Sequence, residues 1–364
     1  MMYQSEAKSS LFKTTQHFAI LDGLRGIAAI AVVIFHFMEI IFPDPSKNFI
    51  AHAYLAVDFF FCLSGFVIAY AYDQKLPQIG ISTFFKLRLI RLHPLVLIGS
   101  VIGLLGFIFD PFSNLFDKYT GQAVLLFVTS CLMIPYPIVG ERYFNLFHLN
   151  PPSWSLFWEY VANIVYAFIL VRLPNKIIWA LALISAVAIV YESYVSGSLI
   201  VGWSGDTFLG GAIRVAYSFI IGILVYRSKW IIQSRFGLIP VGILLMLSFL
   251  APFVKSVNWA VDSLLVLFYF PFLVTLGAGA HLSNVLTKVC NFAGKISYPL
   301  YMTHYPFIWI FLSYVEAKKP TFDQMILIAV VSTVLLIVWA YLIMILLDIP
   351  IRTYLKNKLI KRMV

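Results

Sequence analysis

Arg25 and His36 lie eleven positions apart within the apolar stretch ILDGLRGIAAIAVVIFHF, residues 20–37. Eleven helical steps return a side chain to within about 20° of its starting direction and carry it about 16 Å along the axis. Guanidinium and imidazole therefore share one helix face at two depths. Ionisable groups at the centre of a bilayer cost about 2.5 to 3.5 kcal/mol each on insertion scales, so two on one face point to a polar passage. An imidazole there titrates near neutral pH and suits proton transfer to or from a hydroxyl. A guanidinium offers planar, bidentate hydrogen bonding to phosphate.

Other polar residues fall at the same two levels. Glu159 in SWSLFWEY, Asp58 in AVDFFFCLSGFVIAY and Arg214 in GGAIRVAYSF are expected at the depth of His36. Glu159, or less favourably Asp58, is then the carboxylate that fixes the imidazole tautomer, with a structural Glu159–Arg214 pair as the rival reading. Arg88 and Arg91 in KLRLIRLHPL stand three apart on one helix side, beside the level of Arg25. The spacing of about 16 Å between the two layers is close to the reach of a pantetheine arm. A phosphate-bearing donor held at the arginines would present its far end near His36.

The elements that position these groups follow from composition. Hydrophobic residues make up 61% of the 364-residue chain and charged residues only 12%, with a mean hydropathy of +0.91. That excludes an ordinary soluble domain and predicts an all-α polytopic membrane protein. Apolar runs near 18–42, 54–72, 93–110, 121–139, 155–171, 177–192, 208–226, 237–254, 260–280, 297–314 and 323–348 are mostly long enough to cross about 30 Å of hydrocarbon.

Basic residues set the orientation. If both ends are cytoplasmic and the 121–139 run does not fully cross, 19 Lys and Arg lie inside against 6 outside, with Arg214 within a span. Letting all eleven runs cross gives 11 inside and 14 outside. The expectation is therefore about ten transmembrane helices, with 121–139 re-entrant or interfacial. The domain reading is a cytoplasmic segment 1–17, a membrane domain 18–350 and a basic cytoplasmic tail 351–364. The first apolar run is too long for a cleaved leader and is read as retained. Cys62, Cys131 and Cys290 are odd in number and far apart, which supports neither a disulfide framework nor a metal site. The net charge of +10 is spread between apolar runs and does not form a nucleic-acid-binding stripe.

The stretches LDGLRGIAAIAVVIFHF, AVDFFFCLSGFVIAYAY, KLRLIRLHP, PSWSLFWEY and KISYPLYMTHYP, taken in order, resemble the acyltransferase-3 family of integral-membrane O-acyltransferases across almost the whole chain. The resemblance implies a multi-pass protein of the bacterial inner (plasma) membrane. It implies transfer of an acyl group, usually acetyl, from cytoplasmic acetyl-CoA or another acyl-CoA to a hydroxyl of a surface glycan or lipid-linked sugar. His36 would be the catalytic histidine, and Arg25, Arg88 and Arg91 would hold the coenzyme. The motif residues Trp154, Ser155, Tyr301 and His304, with Arg214, are expected to line the acceptor site; no metal is expected. Many relatives carry two adjacent glutamates after the WSL motif, whereas Tyr160 follows Glu159 here. Some carry an extra esterase-like domain, which this chain would have to find in a separate protein.

Plainer readings stand beside these. His36 can hydrogen-bond across a helix interface, and the arginines can snorkel to the membrane surface without a ligand. His304 suits helix packing as well as a substrate lining. Ser64 and Gly65 in FCLSGF read as close-packing residues, and Ser155 lacks a GxSxG turn, so it is not taken as a nucleophile. Direct transfer and a covalent acyl-enzyme both stay open. The rival function is a secondary transporter or exporter, since intramembrane Arg, His and carboxylates also line such pathways.

Overall fold

The computed structural model describes residues 18–280 and 282–361, so the expected segment 1–17 and the last three residues of the tail lie outside the described residues. The described residues are helical, with two isolated β-bridges, Asn145 to Ser204 and Ser234 to Ala280, and no strand. The main helices are α1 (Ala19–Ile41), α2 (Ala56–Tyr72), α3 (Ile81–Ile108), α4 (Ala123–Cys131), α5 (Ser153–Phe168) and α6 (Asn175–Ser196). They continue as α7 (Phe208–Arg227), α8 (Leu238–Phe249), α9 (Asn258–Ala278), α10 (Asn284–Thr303), α11 (Tyr305–Lys318) and α12 (Phe322–Lys361). Among the described residues, eight helices are long and apolar enough to cross a membrane: α1, α2, α3, α5, α6, α7, α9 and α12, with short terminal turns added to α2 and α5.

Three of the apolar runs depart from simple spans, each for a local reason. The 121–139 run forms only the nine residues of α4, about 14 Å of helix, and then leaves helical geometry. The chain beyond it folds inward, where Val139, Arg142, Leu146, Leu149 and Asn150 are buried. Irregular backbone at membrane depth needs such cover, and part of it is bonded to the body: Leu146 N donates to Trp203 O at 2.9 Å. The 237–254 run yields the twelve-residue α8. The 297–314 run is split at His304, where α10 ends and α11 begins, with Pro299 and Pro306 flanking the break.

Helix α12 begins with a capping box, Thr321 accepting from Gln324 N while the Gln324 side chain accepts from Thr321 N. It then runs 40 residues, about 60 Å and twice the hydrocarbon thickness. The basic residues of the expected tail up to Lys361 continue this helix.

Two helix pairs form the centre. α1 lies along α10 and is flanked by α8 and α12; α2 lies along α7 and is flanked by α9. The α2–α7 seam is backbone against backbone: a Cβ at Gly65 would sit 2.0 Å from Phe219 O, and one at Gly222 would sit 2.0 Å from Cys62 O. Without a hydrophobic force between helices in lipid, such close approach is what holds them. Gly65→Ala must push the two helices apart, and overpacking of this kind costs about 1–3 kcal/mol. The expected result is a lower melting temperature in detergent, followed by intrinsic fluorescence, against no change for Leu183→Ala on the outward face of α6. An unshifted Gly65→Ala protein would contradict the tight seam.

Candidate active site

A cavity of about 1040 Å³ enters the bundle between α1, α2, α3, α5, α10 and α12. Its wall carries Arg25, Arg88, Arg91, Lys295 and Arg352, so the three arginines expected to share a layer do line one space. They differ in state. Arg91 is exposed, Arg25 lies 3.2 Å from Asp22, and Arg88 is buried. Arg88 Nη2 donates to Glu159 Oε1 at 2.7 Å, and Ser64 Oγ donates to the same oxygen at 2.8 Å. Glu159 is therefore an anchor for an arginine in the cavity wall. The expected His36–Glu159 contact is replaced by this one, and the Glu159–Arg214 pairing is not formed either. Ser64 serves this carboxylate, so in FCLSGF only Gly65 fits the close-packing reading.

His36 has a nearer partner. Its Nδ1 lies 2.7 Å from Glu39 Oε1, three residues on in the same helix, where side chains share a face. With the carboxylate accepting from Nδ1–H, Nε2 is left with its lone pair. The His36 side chain is 20% exposed and that of Glu39 38%. Glu39 is not among the expected site residues, although its spacing in HFME, three residues after His36, places it on the same helix face.

Asp58 is engaged elsewhere. Its carboxylate accepts from Arg214 Nε at 3.2 Å and from Nη2 at 2.6 Å, and Arg214 also donates to Val201 O and Tyr54 O. Arg214 stacks over the Trp154 ring at 5.1 Å. Both partners are buried, at 0% and 2% exposure, so Asp58 does not orient His36, and Arg214 and Trp154 do not face a ligand space. A second buried cluster beside them went unread in the sequence. There Asp262 accepts from Tyr54 Oη at 2.8 and 2.7 Å and from Leu199 N at 2.7 Å, with Asn258 on the same hydroxyl.

His304 and Tyr301 join the two halves of the site. The His304 ring stacks on His36 with centroids 5.4 Å apart and planes at 22°, and Tyr305 meets His36 edge-on at 4.7 Å. At the break between α10 and α11 the His304 side chain caps the last turn of α10, with Nδ1 3.0 Å from Leu300 O and 2.9 Å from Tyr301 O. Tyr301 Oη lies 2.7 Å from Ser155 Oγ, and both residues line the cavity, with Phe60 edge-on to the tyrosine. His36 itself is not part of the cavity wall. It stands two ring contacts away, through His304 and Tyr301.

A family profile described as an acyltransferase domain matches residues 18–347, which takes in α1 to α11 and α12 as far as Leu347. The chain belongs to the acyltransferase-3 family. Among relatives in that family, the O-acetyltransferase OatA of Staphylococcus aureus (strain NCTC 8325 / PS 47) is 27% identical over 336 residues, covering 84% of this chain and 53% of its own length. A putative O-acetyltransferase of S. aureus strain COL is 25% identical over 345 residues, covering 85% of this chain and 54% of its own. A protein named only for its place in the picA locus of Rhizobium radiobacter is 38% identical over 164 residues, or 42% of this chain and 82% of its own length. The chain thus spans about half the length of the named O-acetyltransferases it matches. No solved structure matches it significantly.

Proposed function

We propose that this acyltransferase-3 protein is a membrane O-acetyltransferase. It takes an acyl group, acetyl in the first instance, from cytoplasmic acyl-CoA to a hydroxyl of a glycan or lipid-linked sugar at the opposite face of a bacterial inner membrane. The observation that carries the reading is the Glu39–His36 dyad joined through the His304 and Tyr301 rings to an arginine-lined cavity. The orientation assumed is the one favoured by the basic residues, with about ten crossings and both ends cytoplasmic.

In this mechanism Glu39 holds the Nδ1 proton of His36 and keeps Nε2 basic. Nε2 takes the proton of the acceptor hydroxyl as its oxygen attacks the thioester carbonyl. The tetrahedral intermediate collapses to the ester, and the departing thiolate recovers the proton from the imidazolium. Arg25, Arg88 and Arg91 supply charge for the coenzyme phosphates. Glu159 fixes the buried Arg88, so its share of the chemistry is to place a cation. The wall formed by Phe60, Tyr301 and His304 separates the thioester end from His36, and it has to part for transfer.

The test is purified protein in liposomes with radiolabelled acetyl-CoA on one side and a soluble glycan on the other. Covalent label on the glycan supports the proposal. Movement of glycan without label would assign a transporter, and the absence of both label and movement would likewise overturn the proposal.

A further inference from the structure

Among the described residues, three buried polar atoms of the cavity-lining side chains have no hydrogen-bond partner: Arg88 Nε, Asn291 Oδ1 and Asp348 Oδ1. Asp348 is 1% exposed and Arg88 3%. A buried polar atom left unpaired costs about 1–3 kcal/mol, and more when charged, so three beside one cavity need a common explanation. Asp348 closes a π-helical turn, Met344–Asp348, inside α12. Such turns cluster at functional sites because the extra residue re-aims side chains. The other carboxylate oxygen of Asp348 lies 3.1 Å from Arg352, one helical turn further toward the basic end of α12.

The unmet needs are of two kinds. Arg88 Nε is a donor seeking an acceptor; Asn291 Oδ1 and Asp348 Oδ1 are acceptors seeking donors. Phosphates satisfy only the first kind. An amide satisfies both, since it brings an N–H and a C=O. Arg25, Arg91 and Arg352 supply cations along the same wall, whereas Ser155 and Tyr301 form the part that touches His304.

We propose that Asp348 and Asn291, with Arg88 Nε, bind the amide groups of a pantetheine arm, which makes this cavity selective for pantetheine thioesters over acyl donors that carry phosphate alone. The inference rests on the acyl-CoA reading above and adds the recognition element to it. Asp348 and Asn291 accept from the amide N–H groups, and Arg88 Nε donates to an amide carbonyl. Binding closes the open valences of the wall, so much of the donor affinity resides in the arm.

The experiment measures equilibrium binding of coenzyme A and of adenosine 3′,5′-bisphosphate, which carries phosphates and adenosine but no arm, to the full-length protein in nanodiscs. For Asp348→Ala, coenzyme A affinity is expected to fall about tenfold while adenosine 3′,5′-bisphosphate binds as to the parent. That second ligand also reports an intact cavity. Asp348→Asn, which keeps an acceptor oxygen, is expected to stay within about threefold of the parent for both ligands, and Asn291→Ala to lose coenzyme A affinity selectively. Equal losses for both ligands in Asp348→Ala and Asn291→Ala, or no loss for either, would overturn the inference. Failure of the parent protein to bind coenzyme A at all would instead remove the donor reading on which it rests.

Discussion

His36→Ala is expected to lower acetyl transfer by about 10² to 10⁴-fold, the range that a positioned general base contributes, while coenzyme A still binds. The second half of that expectation comes from geometry. His36 lies outside the cavity wall, two ring contacts from it, so truncating its side chain leaves Arg25, Arg88 and Arg91 untouched. Glu39→Gln probes the dyad itself: it keeps size and removes the charge that faces Nδ1 at 2.7 Å. Transfer should fall by about 10²-fold, and His36→Ala/Glu39→Gln should be no slower than His36→Ala, since groups acting as a unit are not additive. Initial rates of label transfer in liposomes decide it. A Glu39→Gln protein with the parent's rate would detach the carboxylate from the chemistry. Glu159→Gln gives the contrast: it loosens Arg88 and should raise KM for the donor more than it lowers kcat.

The second large effect falls on stability. Asp58→Ala leaves the Arg214 guanidinium buried at 2% exposure with carbonyl partners and the Trp154 ring in place of a counter-charge, and Arg214→Ala strands the Asp58 carboxylate at 0%. Removing one member of a buried ion pair costs about 3–5 kcal/mol because the other charge is left uncompensated. Either variant should therefore fail to accumulate as a monodisperse protein, read by fluorescence-detected size exclusion and membrane yield. The double change Asp58→Leu/Arg214→Met, which removes both charges at similar volume, should recover much of the yield, as buried pairs can often be replaced by apolar residues with little net cost. A well-folded Asp58→Ala protein lacking only activity would return Asp58 to the chemistry.

The sequence made some of this visible and concealed the rest, for identifiable reasons. Composition and run length announce the helices, because a bilayer demands long apolar segments whatever their partners. Charge balance argues against a full crossing by the 121–139 run, and the run forms only the short α4. The split of the 297–314 run was written in Pro299 and Pro306, yet run length alone hides a break that a side chain can repair, as His304 does. Arg25, Arg88 and Arg91 line one cavity, which helical spacing and the order of the runs bring within reach. Partner choice was not legible. Depth placed Glu159, Asp58 and Arg214 at one level, but which carboxylate meets which cation depends on the rotation of each helix, and that is set by packing. The dyad was the reverse case: Glu39 lies within one turn of His36, where local geometry alone suffices.

The seam at Gly65 and Gly222 divides the bundle mechanically. α2 and α7 touch through their main chains and are bolted by Asp58 and Arg214, so they act as the stator of the machine. The corner between α10 and α11 is held by main-chain bonds on either side of His304, His304 N to Leu300 O and Phe307 N to His304 O, and by the His304 imidazole. If the partition beside Tyr301 swings open in each catalytic cycle, the compliant corner supplies the stroke and the stator holds the register.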